Sequence, residues 1–410
     1  MRLRILTLNV WGLPLGLTRH HDDRMRAIGQ SFANSGADVI ALQEVWTEGG
    51  RRVLAAAGKD AGYGWIWHRP AAFGGSGLMV LSRLPIRAHS FTRFRLAGLP
   101  QRPYHGDFYA GKGFVNLQFA TDAGPLTLVD THLHAGYRAD EEFDEYRGIR
   151  AAQAIEIAAH LRSVPTPVIA VGDFNTSEGD DAYAILLALS GCSDLAVDLD
   201  KRQATCLAPH PYRGAGATEE RIDLVLARSG PATKLEAVAL DRVFDDELVF
   251  DGEAGRYSDH AGLRADFALH RRRDGLAPFE PAALNAAPIN AAAINAAPIN
   301  AAALDHAESE LQWGIRAAHA RRRAEFRGAG VTVAGSLLAG GAAWRMRRRR
   351  RSFLSNLGLG FAGLGLFGGL AALLGSHRVV ENEVAGFADI EKILTRLRAE
   401  SAGAGSLPSS

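Results

Sequence analysis

The chain has 410 residues, with 46 Lys+Arg against 45 Asp+Glu, 47% apolar and 22% charged side chains. These proportions are close to globular averages and exclude wholesale disorder or a fibrous protein. Two cysteines exclude a disulfide-stapled scaffold. The near-neutral total hides a division: residues 1–270 hold 28 basic and 34 acidic side chains, a net of −6, and residues 271–410 hold 18 and 11, a net of +7. An acidic front part is a poor match for a nucleic-acid backbone, so no nucleic-acid partner is expected.

In chain order, residues 3–9 alternate as a first strand; no signal-peptide core precedes it, so the front part is expected to stay in the cytosol. Further strands are predicted at 38–43 (DVIALQ), 77–81 (GLMVL), 113–119 (GFVNLQF), 126–130 (LTLVD), 168–172 (VIAVG), 222–226 (IDLVL) and 263–269 (LRADFAL). Several are continuous apolar runs, the mark of strands covered on both faces. Helical patterns fall at 24–35 and at 143–161, where Tyr146, Ile149, Ala152, Gln153, Ile157 and Leu161 share a face. The pattern predicts a mixed α/β domain over 1–270, closed by the charged run HRRRD at 270–274.

Next comes a repeat of period five: Leu284, Ile289, Ile294, Ile299 and Leu304, four of them followed by Asn, with Pro288 and Pro298. Five fits neither the helix nor the strand period, and 271–310 reads as a low-complexity linker. Residues 328–344 and 352–375 then carry no charge, with six arginines between them at 345 and 347–351. As helices they would measure roughly 26 and 36 Å against a bilayer core of about 30 Å, so the second is long enough to cross and the first is marginal. Gly365 and Gly369 make a small-xxx-small spacing. Residues 311–378 are therefore expected to form a membrane-associated helical hairpin, and 379–410 an amphipathic helix (Val384, Phe387, Ile390, Leu394, Leu397) and a disordered tail.

Polar residues cluster at the predicted strand ends: Asn9 in LNVWG, Glu44 in LQEVW, His132 in DTHLH, Asp173 and Asn175 in VGDFNT, Asp223 in RIDLVL, and Asp259 and His260 in YSDHAGL. Loops at strand ends are where α/β domains gather ligand-handling groups. The oxygen donors Asn9, Glu44 and Asp259 suit a hard cation such as Mg²⁺. His260, with a neighbouring Asp to hold its ring, suits a general base. Asn175, His132 and Lys112 suit stabilisation of charge on phosphate oxygens. The segment GDFYAGKG at 106–113 is not a Walker A loop, because Gly113 stands where Ser or Thr is required.

The ordered set resembles the endonuclease/exonuclease/phosphatase superfamily with the DNase I-like fold. The resemblance implies a four-layer α/β sandwich of two mixed sheets and Mg²⁺-assisted phosphoester hydrolysis. Within it, LTLNVWGLP (6–14), LQEVW (42–46), HGDFYAGKGF (105–114), THLHA (131–135) and VGDFNT (171–176) look like neutral sphingomyelinases, which also carry two hydrophobic segments after the catalytic domain. By that resemblance Glu44, Asn9 and Asp259 hold Mg²⁺, and His260, oriented by Asp223, activates water. Asn175, His132 and Lys112 stabilise the phosphorus centre, with Asp107 as the alternate partner of Lys112. Asp173 either orients the water or protonates the leaving group. Tyr104, Phe108 and Tyr109 offer aromatic faces to a choline group. The implied substrate is sphingomyelin or a related choline phospholipid in a bilayer, with an activating anionic phospholipid as a further partner. Hydrolysis of lysophospholipids, a nuclease and an idle membrane scaffold are the other readings.

Overall fold

A computed structural model describes residues 1–14, 16–69, 75–102, 105–137, 144–272, 298–348 and 352–404. Tyr104, the repeat positions 284–297 and the expected disordered end at 405–410 lie outside them. Among the described residues, two sheets of six strands form. The first runs β11 (Thr233–Val243), β14 (Gly262–Arg271), β1 (Arg2–Asn9), β2 (Val39–Gln43), β4 (Met79–Ser82), β3 (Trp65–His68). The second runs β5 (Ile86–Arg93), β6 (Gly113–Thr121), β7 (Gly124–His132), β8 (Val168–Asp173), β10 (Asp223–Arg228), β9 (Ser193–Asp194). A short ribbon joins β12 (Leu248–Phe250) and β13 (Glu253–Gly255).

The two-residue strand period builds the layers. In β1, Leu3 and Ile5 point between the sheets, where they meet Ile169 and Val171 of β8, Val225 and Phe267. Leu6 and Leu8 point outward and pack beneath α1 (His21–Ser31) and α2 (Glu48–Asp60). Val168 and Ala170 likewise point outward, under α3 (Arg147–Ser163) and α4 (Asp181–Ser190). Every residue of β8 is buried, which is why its sequence shows no polar alternation. The helix expected at 24–35 starts earlier, at His21, and finishes as a 3-10 turn, Phe32–Asn34.

Each sheet is mixed: β1 and β2 are parallel, as are β7 and β8, and every other pair is antiparallel. Register sets Asn9 beside Gln43, and Asp173 between His132 and Asp223. The exits of β1, β2, β7 and β8 and the entries of β10 and β14 therefore share one end of the sandwich.

After the short α5 (Leu195–Asp198), the C-terminal region is two long helices, α6 (Ala301–Arg348) and α7 (Ser352–Ala404). Both exceed the expected hairpin, and the amphipathic segment is the continuation of α7, not a separate helix. Their near halves cover α3, burying Ile299, Leu304, Leu311, Phe387, Ile390 and Leu397 in the same core. This coverage explains why α3 is apolar almost all round. It also corrects the linker: Asn300 Oδ1 accepts from Ala302 N (3.0 Å) and starts α6 as an N-cap, so residues 301–310 are helix and the last repeat positions are core. Close approach requires glycine here, because a Cβ on Gly148 of α3 would lie 2.5 Å from Gly314 Cα. Arg147 clamps Glu310 through two 2.6 Å bonds.

Ser401 Oγ bonds Ile299 O, while Gln101 Nε2 reaches Glu325 Oε1. Past Gly314, α6 therefore runs toward the end of the sandwich where α3 begins and the polar strand ends lie, and continues beyond it. That far half exposes Leu338 (76%), Phe367 (75%), Val331 (73%) and Leu364 (71%). Among the described residues, however, no helix is long and apolar enough to cross a membrane, against the expected crossing by 352–375. Glycines interrupt the segment at 358, 360, 363, 365, 368 and 369, and the side chains of 352–355 and 371–374 lie outside the described residues.

Candidate active site

The site is built from the floor between the sheets upward. Gln43 Nε2 donates to Asp130 Oδ1 (2.7 Å) and to Thr7 Oγ1 (3.1 Å), tying one sheet to the other. Burial pushes the Asp130 carboxyl well above its usual range. One layer higher, Asn9 Nδ2 donates to Asp173 Oδ2 (2.9 Å), again across the sheets. Asn9 Oδ1 accepts from Trp11 N, which fixes the turn after β1. Beneath that turn the fully buried Arg24 donates to the carbonyls of Val10, Trp11, Arg19 and Tyr257. Burial pulls the Arg24 pKa down.

Asp173 is the hub. Its Oδ1 accepts from Asn175 N (3.0 Å), and its Oδ2 lies 3.3 Å from His132 Nε2 and 4.0 Å from His260 Nε2. Burial raises it to about 6. His260 Nδ1 donates to Asp223 Oδ2 (2.8 Å), and Asp223 N is in turn held by Thr205 Oγ1. Glu44 Oε1 approaches His132 Nε2 at 3.9 Å. Asn175 Nδ2 donates to Leu133 O (3.0 Å). Glu44 and Asn175 both take positive φ, 61° and 47°. Non-glycine residues hold such backbone only when their surroundings impose it, a cost typical of functional sites. At Glu44 the constraint is visible: Gly12 N bonds its carbonyl, and a Cβ on Gly12 would lie 2.5 Å from that oxygen.

Lys112 extends the cluster. Its Nζ donates to Leu133 O (2.7 Å) and His132 Nε2 (2.8 Å) and pairs with Asp107. The pair is buried, Lys112 2% and Asp107 4% exposed, unlike an exposed loop ion pair. Burial would raise the Asp107 carboxyl, but Lys112, His134 and His132 hold it down at about 2. Tyr137 Oη donates to its second oxygen. Burial and then Lys112 keep the His132 pKa well below the usual range, so its ring is neutral. Asp259 stands aside from these direct contacts: its Oδ1 accepts from Ser258 Oγ (3.2 Å), and its charge acts on Glu44. The structure thus brings Asn9, Glu44, Asp107, Lys112, His132, Asp173, Asn175, Asp223 and His260 into one connected cluster, with Asp259 at its rim.

Sequence reasoning did not single out Tyr137, His134, Ser258 or Thr205. His134 and Ser258 sit inside motifs that were quoted, whereas Thr205 and Tyr137 carry no local signal. The buried Cys206 also borders the site, its Sγ 3.7 Å from His260 Nδ1. Of the aromatic faces, Tyr109 is exposed, with Oη bonded to Pro100 O.

Charge decides where a cation would fit. Ligand atoms of Asp173, Asp223 and His260 lie within 4.8 Å of one another, but Asp223 Oδ2 already accepts from His260 Nδ1, and only its buried Oδ1 is left without a partner. Glu44 Oε2 is buried with no partner. Burial, and then Asp259, push the Glu44 carboxyl up to about 7. For His260, burial works downward, yet Cys206, Asp223 and Asp259 together hold its pKa well above the usual range. The part of the Glu44 shift due to Asp259, and the acidic neighbours that raise His260, mark crowded negative charge that a hard cation beside Glu44 would offset.

The endonuclease/exonuclease/phosphatase family model matches residues 6–260 of this chain, more than half its length. The chain belongs to this family. Human sphingomyelin phosphodiesterase 2 is 34% identical over 197 residues, covering 47% of this chain and 46% of the relative. An inositol phosphosphingolipids phospholipase C of Schizosaccharomyces pombe is 34% identical over 178 residues, covering 42% of this chain and 41% of the relative. The chain thus matches less than half the length of either. Among solved structures, D. rerio TDP2 complexed with a single-strand DNA product superposes with a TM-score of 0.52 at 19% identity, over 65% of this chain and 99% of that one. A Staphylococcus aureus beta toxin mutant with bound magnesium ions superposes at 0.50 and 20% identity, over 65% and 99%. These likenesses show the fold of the family, the DNase I-like sandwich that the sequence resemblance implied, and fold alone does not choose a substrate.

Proposed function

We propose that the chain is a Mg²⁺-dependent phosphodiesterase that releases the headgroup of sphingomyelin, or of a related phosphosphingolipid, at a membrane surface. One observation carries this reading: Asp173 joins Asn9, His132, Asn175 and the His260–Asp223 pair at a single point beside Lys112. Glu44, with Asn9 and Asp259, would hold the cation. Bound there, Mg²⁺ would polarise a phosphoryl oxygen as a Lewis acid. Asp223 fixes the His260 tautomer through Nδ1; with a cation offsetting the acidic groups that raise its pKa, Nε2 would be free to accept the proton of an attacking water. Lys112 exchanges Asp107 for a phosphate oxygen, and Asn175 Nδ2 adds a second donor. Asp173 orients these groups and, near pH 6, carries a proton it can pass to the leaving alkoxide.

The hairpin supports the lipid part of the reading, because its exposed apolar half leaves the domain at the catalytic end. Resting it on a bilayer would bring headgroups to the site at high effective concentration. Arg345, exposed on that half, would favour anionic lipid there. With the hairpin as anchor, the catalytic domain would face the cytosol. The relatives' names supply the headgroup choices, phosphocholine and phosphoinositol. The deciding assay measures release of each from sphingolipid vesicles with Mg²⁺ and with chelator, with plasmid cutting as a third arm. Mg²⁺-dependent release of either headgroup supports the reading; cutting of DNA without headgroup release would overturn it.

A further inference from the structure

Two cavities meet between the hairpin and the loop that leads to Lys112. The larger, about 510 Å³, has Pro100 and Gln101 on the catalytic side and Ala329, Thr332, Gly368 and Gly369 on the hairpin side. The smaller, about 370 Å³, is lined by Leu96, Leu99 and Phe108. Pro100 and Val379 line both, so the two form one groove. It begins at the exposed apolar half of the hairpin and ends at Phe108, next to the Asp107 that pairs with Lys112.

Arg93, Arg95, Asn382 and Glu383 also line the smaller cavity, while the larger is apolar except at one wall. There Gln101 Nε2 donates to Glu325 Oε1 (3.3 Å), while Gln101 Oε1 and Glu325 Oε2 are buried with no donor. Buried acceptors left unpaired are costly, so the natural occupant brings hydroxyl or amide N–H groups alongside hydrocarbon. A diester glycerolipid backbone has no such donor. A ceramide has an amide N–H and hydroxyls at the root of two chains.

We infer that this groove binds the ceramide portion of a sphingolipid. The inference rests on the phosphosphingolipid reading and adds a second place of recognition, away from the phosphate. The hairpin then supplies one wall of a lipid site as well as a bilayer contact.

The test uses the full chain on vesicles containing a ceramide with a photoreactive diazirine in its acyl chain. A Cβ on Gly368 meets nothing within 4 Å, so Gly368→Phe projects into the groove; the same change at Gly369 would strike Val333. Labelling is expected at peptides containing Pro100, Thr332 or Val379. It should be displaced by unlabelled ceramide more readily than by diacyl phosphatidylcholine, and should fall about tenfold in Gly368→Phe. Labelling at Leu337 and Leu338 should persist in that variant, reporting that the hairpin still meets the bilayer. Glu325→Leu should abolish the preference for ceramide while leaving chain labelling in place. Equal labelling of wild type and Gly368→Phe, or equal displacement by the glycerolipid, would overturn the inference. Headgroup release from the wild type separates the two ideas. Groove labelling without release sinks the proposed reaction alone, and release without groove labelling sinks the groove alone.

Discussion

The catalytic end and the far half of the hairpin invert the usual rule of burial in opposite ways. At one, Lys112, Asp107, Asp173, Asp223 and His132 are nearly sealed from water. At the other, Leu338, Phe367 and Leu364 are largely exposed. Soluble proteins seldom tolerate either condition without a reason. The buried groups pair off incompletely, with Glu44 Oε2 left without a partner, while the exposed side chains turn hydrocarbon outward. Each region is shaped for something outside the chain, and the two lie at the same end of the sandwich. On the proposed reading, site and hairpin complete a single surface, with polar chemistry on one part and hydrocarbon contact on the other.

The sharpest way to break it is at His260. Replacing it with Ala removes the only imidazole oriented by Asp223, and general-base help is worth about 10²–10⁴-fold in rate. Turnover on sphingolipid vesicles should fall by that factor, with vesicle co-sedimentation unchanged. Near-normal turnover would take His260 out of the chemistry. The next effect is on how the two regions are joined. Phe387 is fully buried against Gly148 and Gly314, and truncating such a ring costs about 3–5 kcal/mol. Phe387→Ala should lower the urea midpoint clearly and loosen the hairpin to proteolysis. Were stability unaffected, the near half of the hairpin would not belong to the core.

How much of this was legible follows from burial. The central strands showed as apolar runs because both faces are covered, as in β8. The strands that went unseen include the sheet edges β3, β5 and β11, where exposed positions alternate with half-buried ones and charges such as Lys234 and Glu236 keep the edge soluble. The strand-end residues were legible because the motifs carry them. The burial of Lys112 was not, since it depends on the loop that carries Asp107 and Lys112 meeting His132 and Leu133 at the end of β7. Nor was the docking of α6 and α7. A stripe such as Phe387, Ile390 and Leu394 announces an apolar face without naming what covers it, and here the cover is α3 rather than lipid.

The smallest effect separates a cation site from a merely strained acidic cluster. Folding raises Glu44 to about 7 and Asp173 to about 6, so each is favoured in its protonated form. The stability this gives the metal-free protein is lost as pH rises through those values, when the groups must ionise. A bound Mg²⁺ reverses the preference at Glu44, because it needs that carboxylate free of its proton. Each proton in competition weakens apparent Mg²⁺ affinity by roughly tenfold per pH unit below the group's pKa. The Mg²⁺-induced rise in Tm, measured against chelator at fixed metal concentration, should therefore be small at pH 6 and grow toward pH 8. Buried His134 and His160, held near 4 mainly by burial, shift stability in the opposite direction. They do so with or without the ion, and the difference between the two melts removes them. A difference that stays flat from pH 6 to 8 would mean that Glu44 does not hold the cation. The chemistry would then have to be rebuilt around the Asp223–His260 side of the cleft.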